Sequence, residues 1–165
     1  MIDAIYRMVY RVAYQGARVY WLLFKPDNHG ALVAMWCHGK VLLVKNSYVS
    51  YYSLPGGNVR ASENAREAAV RELKEEIGLS VEASQLTVAL DHTHEWQGRS
   101  DHVVIFELDL KDEPKVQVDN REVVSAEWLR PEQALALSLF PPLKRVIEDH
   151  LRGAANGAVG NGQDN

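Results

Sequence analysis

Glu72, Glu75 and Glu76 stand at i, i+3 and i+4 in the stretch RELKEEIGL, residues 71–79. On a helix that spacing puts three carboxylates on one face. Like charges so placed destabilise an isolated helix by roughly 0.2–0.5 kcal/mol per pair. One account is a surface cluster partly neutralised by Arg66, Arg71 and Lys74. The other is a shared divalent cation. Mg2+ and Mn2+ prefer oxygen ligands and are commonly held by a few carboxylates together with substrate phosphates.

The surroundings favour the cation. Residues 63–77 read as a helix with no internal Pro or Gly, with Ser62 as N-cap and Gly78 as C-terminal stop. At 100° per residue the three acids share an arc of roughly 100°. Ala65, Ala68 and Ala69 lie one or two turns earlier on that arc, while Glu67, Arg71 and Lys74 point elsewhere. The acids therefore crown a stripe of small residues that leaves room above them. Just upstream, Gly56 and Gly57 let the backbone approach a ligand or metal where a side chain would obstruct.

From Gly57 the chain reads G-x5-E-x7-R-E-L-x-E-E-x-G-L, filled by Gly57, Glu63, Arg71, Glu72, Leu73, Glu75, Glu76, Gly78 and Leu79. This resembles the signature box of the Nudix hydrolases, with all nine specified positions occupied over 23 residues. The one departure is Ser62, where many members carry Gly. The resemblance extends more loosely over residues 30–150. It implies hydrolysis of a nucleoside diphosphate linked to another moiety, by water attack on a phosphorus. It also implies divalent metal, Mg2+ with Mn2+ as substitute, held by Glu72, Glu75, Glu76 and the Gly56 carbonyl. Such phosphoryl chemistry needs charge neutralisation and positioning more than a protein nucleophile. Arg71 would orient Glu75 and Glu63 by hydrogen bonds. Gly57, Glu63, Leu73 and Gly78 would be structural positions of the box. The general base varies within the family. Glu122, six residues before Trp128, is the preferred candidate as base or extra ligand, ahead of Glu107 and Asp101. A non-catalytic domain that senses a nucleotide or docks a partner is the alternative, although such domains often lose box acids. An isomerase would need a catalytic Cys in a Cys/His motif, which Cys37 in ALVAMWC lacks.

Other polar residues carry weaker signals. His92 and His94 would share one face of a strand, at the rim of a pocket or on the surface. Trp96 could stack on a base, with Arg99 nearby. Lys45 and Arg60 flank the Gly-Gly turn and could meet phosphate. Substrate identity stays open among nucleoside triphosphates, ADP-ribose, nucleotide sugars, dinucleoside polyphosphates and capped RNA.

The elements that must position these residues form an α/β sandwich with a mixed sheet. Two strands, 31–37 and 40–46, turn at His38-Gly39; an irregular aromatic stretch, 48–54, then ends at PGG. Strands follow at 86–96, 102–110 and 121–129, then a short helix from Pro131 and a last helix over 141–152. The organisation is an N-terminal amphipathic helix over 1–24, a hydrolase domain over 25–152 and a disordered tail over 153–165.

The chain has 165 residues, 47% hydrophobic and 24% charged, with net charge −4, as suits one globular domain with a core. That charge argues against a general nucleic-acid binder. A single cysteine excludes an internal disulfide and a Cys-rich zinc site, and it reads as a buried small hydrophobe. A reducing cytoplasm fits. In the first 24 residues, Ile5, Met8, Val9, Val12, Val19 and Leu23 recur at helical spacing. Arginines interrupt the run too often for a signal-peptide core or a spanning helix. That helix is expected to dock on the body or on a second subunit, which makes a homodimer an expectation. Peripheral binding to a membrane surface is the minority alternative.

Overall fold

The computed structural model describes residues 2–97 and 99–160, with the side chains of Trp96, Arg99 and residues 155–160 left aside. Among the described residues, six strands and four α-helices follow one another, with one short 3-10 helix (Ala83–Gln85) before the fourth strand. They are α1 (Ile2–Phe24), β1 (Asn28–Cys37), β2 (Lys40–Asn46), β3 (Gly56–Asn58), α2 (Ala65–Ile77), β4 (Thr87–Trp96), β5 (Arg99–Leu110), β6 (Val123–Leu129), α3 (Pro131–Leu135) and α4 (Pro141–Gly160).

The sheet runs β4-β5-β1-β2-β6, with β3 also paired to β1. Only β1 and β5 run parallel, so the sheet is mixed. β1 is buried from Ala31 to Cys37, as its unbroken apolar run requires of a strand covered on both faces. His38 and Gly39 both take positive φ, 48° and 71°, the backbone of a two-residue hairpin turn. β2 pairs with β1 only at that end, at Trp36 and Cys37. Along the other half of β1, Gly30, Ala31 and Leu32 pair with Asn58, Gly57 and Gly56.

Each face of the sheet is covered by helix. Ala68, Ala69, Leu73 and Ile77 of α2 pack with Ala31, Val33, Met35 and Phe106 on one face. Ala134 of α3 and Leu143, Val146 and Ile147 of α4 pack with Leu32, Ala34, Val103 and Ile105 on the other. The expected α/β/α sandwich with an additional N-terminal helix is the observed architecture.

Several local expectations are corrected. α2 begins at Ala65, not at 63, and Asn64 caps it in place of Ser62: its side chain accepts from the Arg66 and Glu67 amides, and Glu67 returns a bond to the Asn64 amide. The Gly-Gly segment is a short strand instead of a loop, because its backbone completes the ladder that β2 abandons. The stretch 48–54 is no strand; its one backbone bridge to the sheet among the described residues is Val44–Ser53, and Leu54 packs into the core. α4 runs on to Gly160, past the expected end at Arg152, and Ala154, Ala155 and Ala158 are strong helix formers. Residues 161–165 of the expected tail lie outside the described residues.

α1 docks by a face other than the apolar one. Arg7, Tyr10, Tyr14, Ala17 and Trp21 are its half-buried residues. Val9, Val12 and Leu23 are 58%, 69% and 72% exposed. The apolar stripe therefore faces away from the body, and the expectation of a homodimer rests on it. Among the described residues no helix is long and apolar enough to cross a membrane.

Candidate active site

The three acids of α2 form a graded series, not a solvated crown. Ala68 and Ala69 are fully buried against the sheet, so the small-residue stripe carries packing and leaves no room for a ligand. Glu76 continues that inner face and is 7% exposed. Glu72 is half-buried and Glu75 is exposed. Among the described residues, the only hydrogen-bond donor to Glu76 is the Gly56 amide, at 2.8 Å. Burial pushes the Glu76 carboxyl well up, and the charges of Glu72, Glu122 and Asp119 push it further. Burial also raises Glu72, against the pull of Arg71, and Glu75 and Glu122 add to the rise. Three other carboxylates thus press on Glu76.

Gly56 and Gly57 allow this arrangement. Gly56 sits at φ 136°, and a Cβ there would strike the Ala31 carbonyl and come within 2.7 Å of Leu32 Cα. At Gly57 a Cβ would lie 2.7 Å from Glu72 Oε1. The carboxylate occupies the space that a side chain would need. Gly56→Ala combines backbone strain with overpacking against a buried strand, and is expected to cost roughly 2–5 kcal/mol. Urea unfolding of the variant beside the parent measures it.

Arg71 does not point away from the acids. Its guanidinium takes Glu63 in two bonds, Nε to Oε2 at 3.0 Å and Nη2 to Oε1 at 2.6 Å. Nη1 donates to Glu72 Oε1 at 2.6 Å and to Glu75 Oε2 at 3.0 Å, and Nη2 also donates to the Asn58 carbonyl at 3.1 Å. The Arg71 fork, with the Arg60 amide, draws the Glu63 carboxyl down to about 2. One planar cation therefore ties the loop before α2, the helix and β3 together. Arg60 stands at the outer edge, its Nη2 3.5 Å from Glu75 Oε2.

Glu122 comes to the same place from the loop before β6. Its carboxylate accepts from the Tyr48 hydroxyl at 2.7 Å, and Asn46 Nδ2 donates to that hydroxyl at 3.1 Å. Asp119 holds the turn by accepting from the Arg121, Glu122 and Val123 amides. Gly56, Gly57 and Glu122 lie at the lining of a cleft of about 370 Å³ between the sheet and α1.

The family model of the NUDIX domain matches residues 27–150. The chain belongs to the NUDIX family. It is 32% identical over 115 residues to a Bacillus subtilis protein that bears the name "Putative 8-oxo-dGTP diphosphatase", covering 70% of this chain and 73% of that one. It is 30% identical over 109 residues to the CTP pyrophosphohydrolase of Escherichia coli, covering 62% of this chain and 76% of that one. Its fold matches a MutT NUDIX hydrolase from Burkholderia pseudomallei with TM-score 0.66 and 21% identity, over 74% of this chain and 97% of that chain. This Nudix protein is a pyrophosphohydrolase by class.

Within the Nudix domain the other candidates are scattered. Lys45 does not line the cleft; its ammonium lies 4.8 Å from the centre of the Tyr52 ring, and burial lowers it. Asp101 does line the cleft and accepts from Asn28 Nδ2 at 2.5 Å. Glu107 lies six residues further along β5, roughly 20 Å away, where it meets Trp36 Nε1 and His150 Nδ1 at 3.2 and 3.3 Å. His92 is exposed and His94 half-buried, their rings stacked at 5.7 Å. Trp96 and Arg99 pair through their backbones at the end of the β4–β5 hairpin; their side chains lie outside the described residues. Sequence reasoning missed Tyr48 and Asp119, and only the Asp-Asn turn signal at 119–120 could have pointed to either.

The donor set suits a hard divalent cation. It is all oxygen, and the mutual repulsion around Glu76 is what a cation relieves. Among the described residues no three His, Cys, Asp or Glu side chains converge as a ready-made cage. Glu75 is drawn aside by Arg71 and Arg60, and it is the exposed member of the three.

Proposed function

We propose that the protein hydrolyses a pyrophosphate bond of a nucleoside triphosphate-type substrate by metal-assisted attack of water on phosphorus. The observation that carries this reading is the placement of the half-buried Glu72 and the buried Glu76 directly beside the Gly56-Gly57 backbone that lines the cleft. The substrate class is taken from relatives named for 8-oxo-dGTP and CTP.

Glu72 and Glu76, with Glu75 and the Gly56 carbonyl, would hold Mg2+ or Mn2+. The ion would neutralise phosphate charge and acidify the attacking water. The chain's own groups do the rest. Arg71 keeps Glu72 and Glu63 in fixed orientation. Glu122 accepts the proton of the water as its oxygen bonds to phosphorus, and the anhydride P–O bond breaks with its electron pair leaving on the departing phosphate. The Tyr48 hydroxyl orients Glu122 for that transfer. The catalytic group is thus Glu122; Glu63, Leu73 and Gly78 hold the helix in place.

A hydrolysis screen tests the reading. Purified protein with Mg2+ or Mn2+, or with chelator, meets nucleoside triphosphates, ADP-ribose, nucleotide sugars and dinucleoside polyphosphates, beside Glu75→Gln. Metal-dependent release of pyrophosphate or phosphate from the triphosphates, reduced in the variant, is the expected result. Folded, metal-bound protein that turns over none of these classes would point to a nucleotide sensor.

Metal binding also has a thermal signature. With free Mg2+ tenfold above its Kd, linkage adds about 1.4 kcal/mol. For a chain of this length that is roughly 3–6 °C in Tm. Differential scanning with and without chelator reads it, and an unchanged Tm counts against the carboxylate site.

A further inference from the structure

The match to the NUDIX family begins at residue 27, yet one wall of the cleft comes from α1. Tyr10, Tyr14 and Trp21 line it at helical spacing, with the small Ala13 and Ala17 between them. Tyr48, in ring contact with Tyr14, and Tyr51 also line it, and its polar residues include Asn28 and Asp101. The proposed phosphate end, at Gly56, Gly57 and Glu122, belongs to the same cavity. A volume of about 370 Å³ suits a small-molecule site, apolar for the most part with a few placed polar groups.

α1 is tied to the segments around the cleft. Arg7 Nε donates to the Asn120 carbonyl at 2.8 Å, and Arg11 Nε to the Ser47 carbonyl at 3.0 Å. The Tyr14 hydroxyl donates to Gln97 Oε1 at 2.8 Å. Trp21 meets Tyr14 edge to face with ring centroids 5.8 Å apart, and Tyr14 meets Tyr48 at 5.0 Å. No residue of α1 is buried in the body of the protein. The helix therefore contributes little to the core, and its aromatic face is spent on the cleft.

We infer that α1 forms the base-binding wall of the substrate site, where Trp21 and Tyr14 take the flat heteroaromatic base of a nucleotide whose phosphates point toward Gly56 and Gly57. This deepens the reading of the protein as a nucleotide hydrolase and rests on it. A flat base fits because its faces stack on aromatic rings while its edge meets polar groups.

The test reads binding, with each titrated sample checked for hydrolysis products so that heats of turnover are set apart from heats of binding. Calorimetric titrations in Mg2+ use α,β-methylene analogues of ATP, GTP, CTP and UTP, with inorganic tripolyphosphate as the ligand without a base. The proteins are the full chain, Trp21→Ala and Trp21→Phe. Trp21→Ala is expected to weaken the best analogue about 10-fold, within the range for loss of one stacking partner. Trp21→Phe should recover most of that loss, and tripolyphosphate should stay within about twofold throughout. Equal loss for tripolyphosphate, or no loss for any analogue, overturns the inference. So does a full chain that binds no analogue better than tripolyphosphate. Failure to hydrolyse, by contrast, is seen only in the activity screen and speaks to the reaction, not to the wall.

Discussion

Glu76→Gln should fold, hold or gain stability without metal, and lose about 10³-fold in turnover, on the order of 4 kcal/mol of transition-state stabilisation. The two effects have one cause. Glu76 is a 7% exposed carboxylate with a single amide donor and three acidic neighbours pressing on it. Glutamine keeps an acceptor oxygen for the Gly56 amide and removes the uncompensated charge. An ordinary buried ion pair behaves in the opposite way, because loss of one partner strands the other. Steady-state hydrolysis and urea unfolding, each with and without Mg2+, separate the cases. The Mg2+-dependent rise in Tm should shrink together with activity. A fall in turnover of less than about tenfold would mean that Glu76 only packs the helix.

Arg71→Ala should be the most destabilising change in the site, by about 3–5 kcal/mol, because it strands carboxylates that are mostly withdrawn from water. Glu63 and Glu72 side chains are 13% and 15% exposed, and Arg71 itself is 16% exposed. Five donor contacts to three acids and one carbonyl end at once. Arg71→Lys should recover less than half of the loss, since an ammonium cannot copy a planar fork. Denaturant midpoints of the three proteins decide this, and a Lys variant equal to the parent would show that charge alone suffices. The pH dependence has a definite sign. Arg71 lowers the Glu63 carboxyl from its ordinary 4.5 to about 2. Its stabilisation is complete above about 4.5 and is lost as pH falls toward 2. The parent should lose stability through that window more steeply than Arg71→Ala.

Much of the site could be read along the chain because its parts are local. The box acids, Arg71 and Gly78 lie on or beside one helix, and helical spacing determines which of them share a face. Gly56 and Gly57 announce themselves as a pair, and a side chain would strike the β1 backbone at Gly56 and the Glu72 carboxylate at Gly57. The strand pattern 31–37, 40–46 and the Pro131 and Pro141 helix starts are local in the same sense. By itself, then, the sequence determined the family, the sandwich and the three acids that share one face of α2.

What the tertiary structure decided depends on contacts between distant segments. Whether Glu76 is buried and Glu75 exposed turns on how α2 sits against β1, not on their equal charge. Arg71 folds back onto the acids because Glu63 and the Asn58 carbonyl wait there. Tyr48 and Glu122 meet across 74 residues, a pairing that no local period encodes. The face by which α1 docks was decided in the same way. Hydrophobic spacing pointed to Val9, Val12 and Leu23, but the body offers that helix backbone carbonyls and aromatic rings at the rim of a cleft. Arginines and tyrosines satisfy such a surface, and an aliphatic stripe does not.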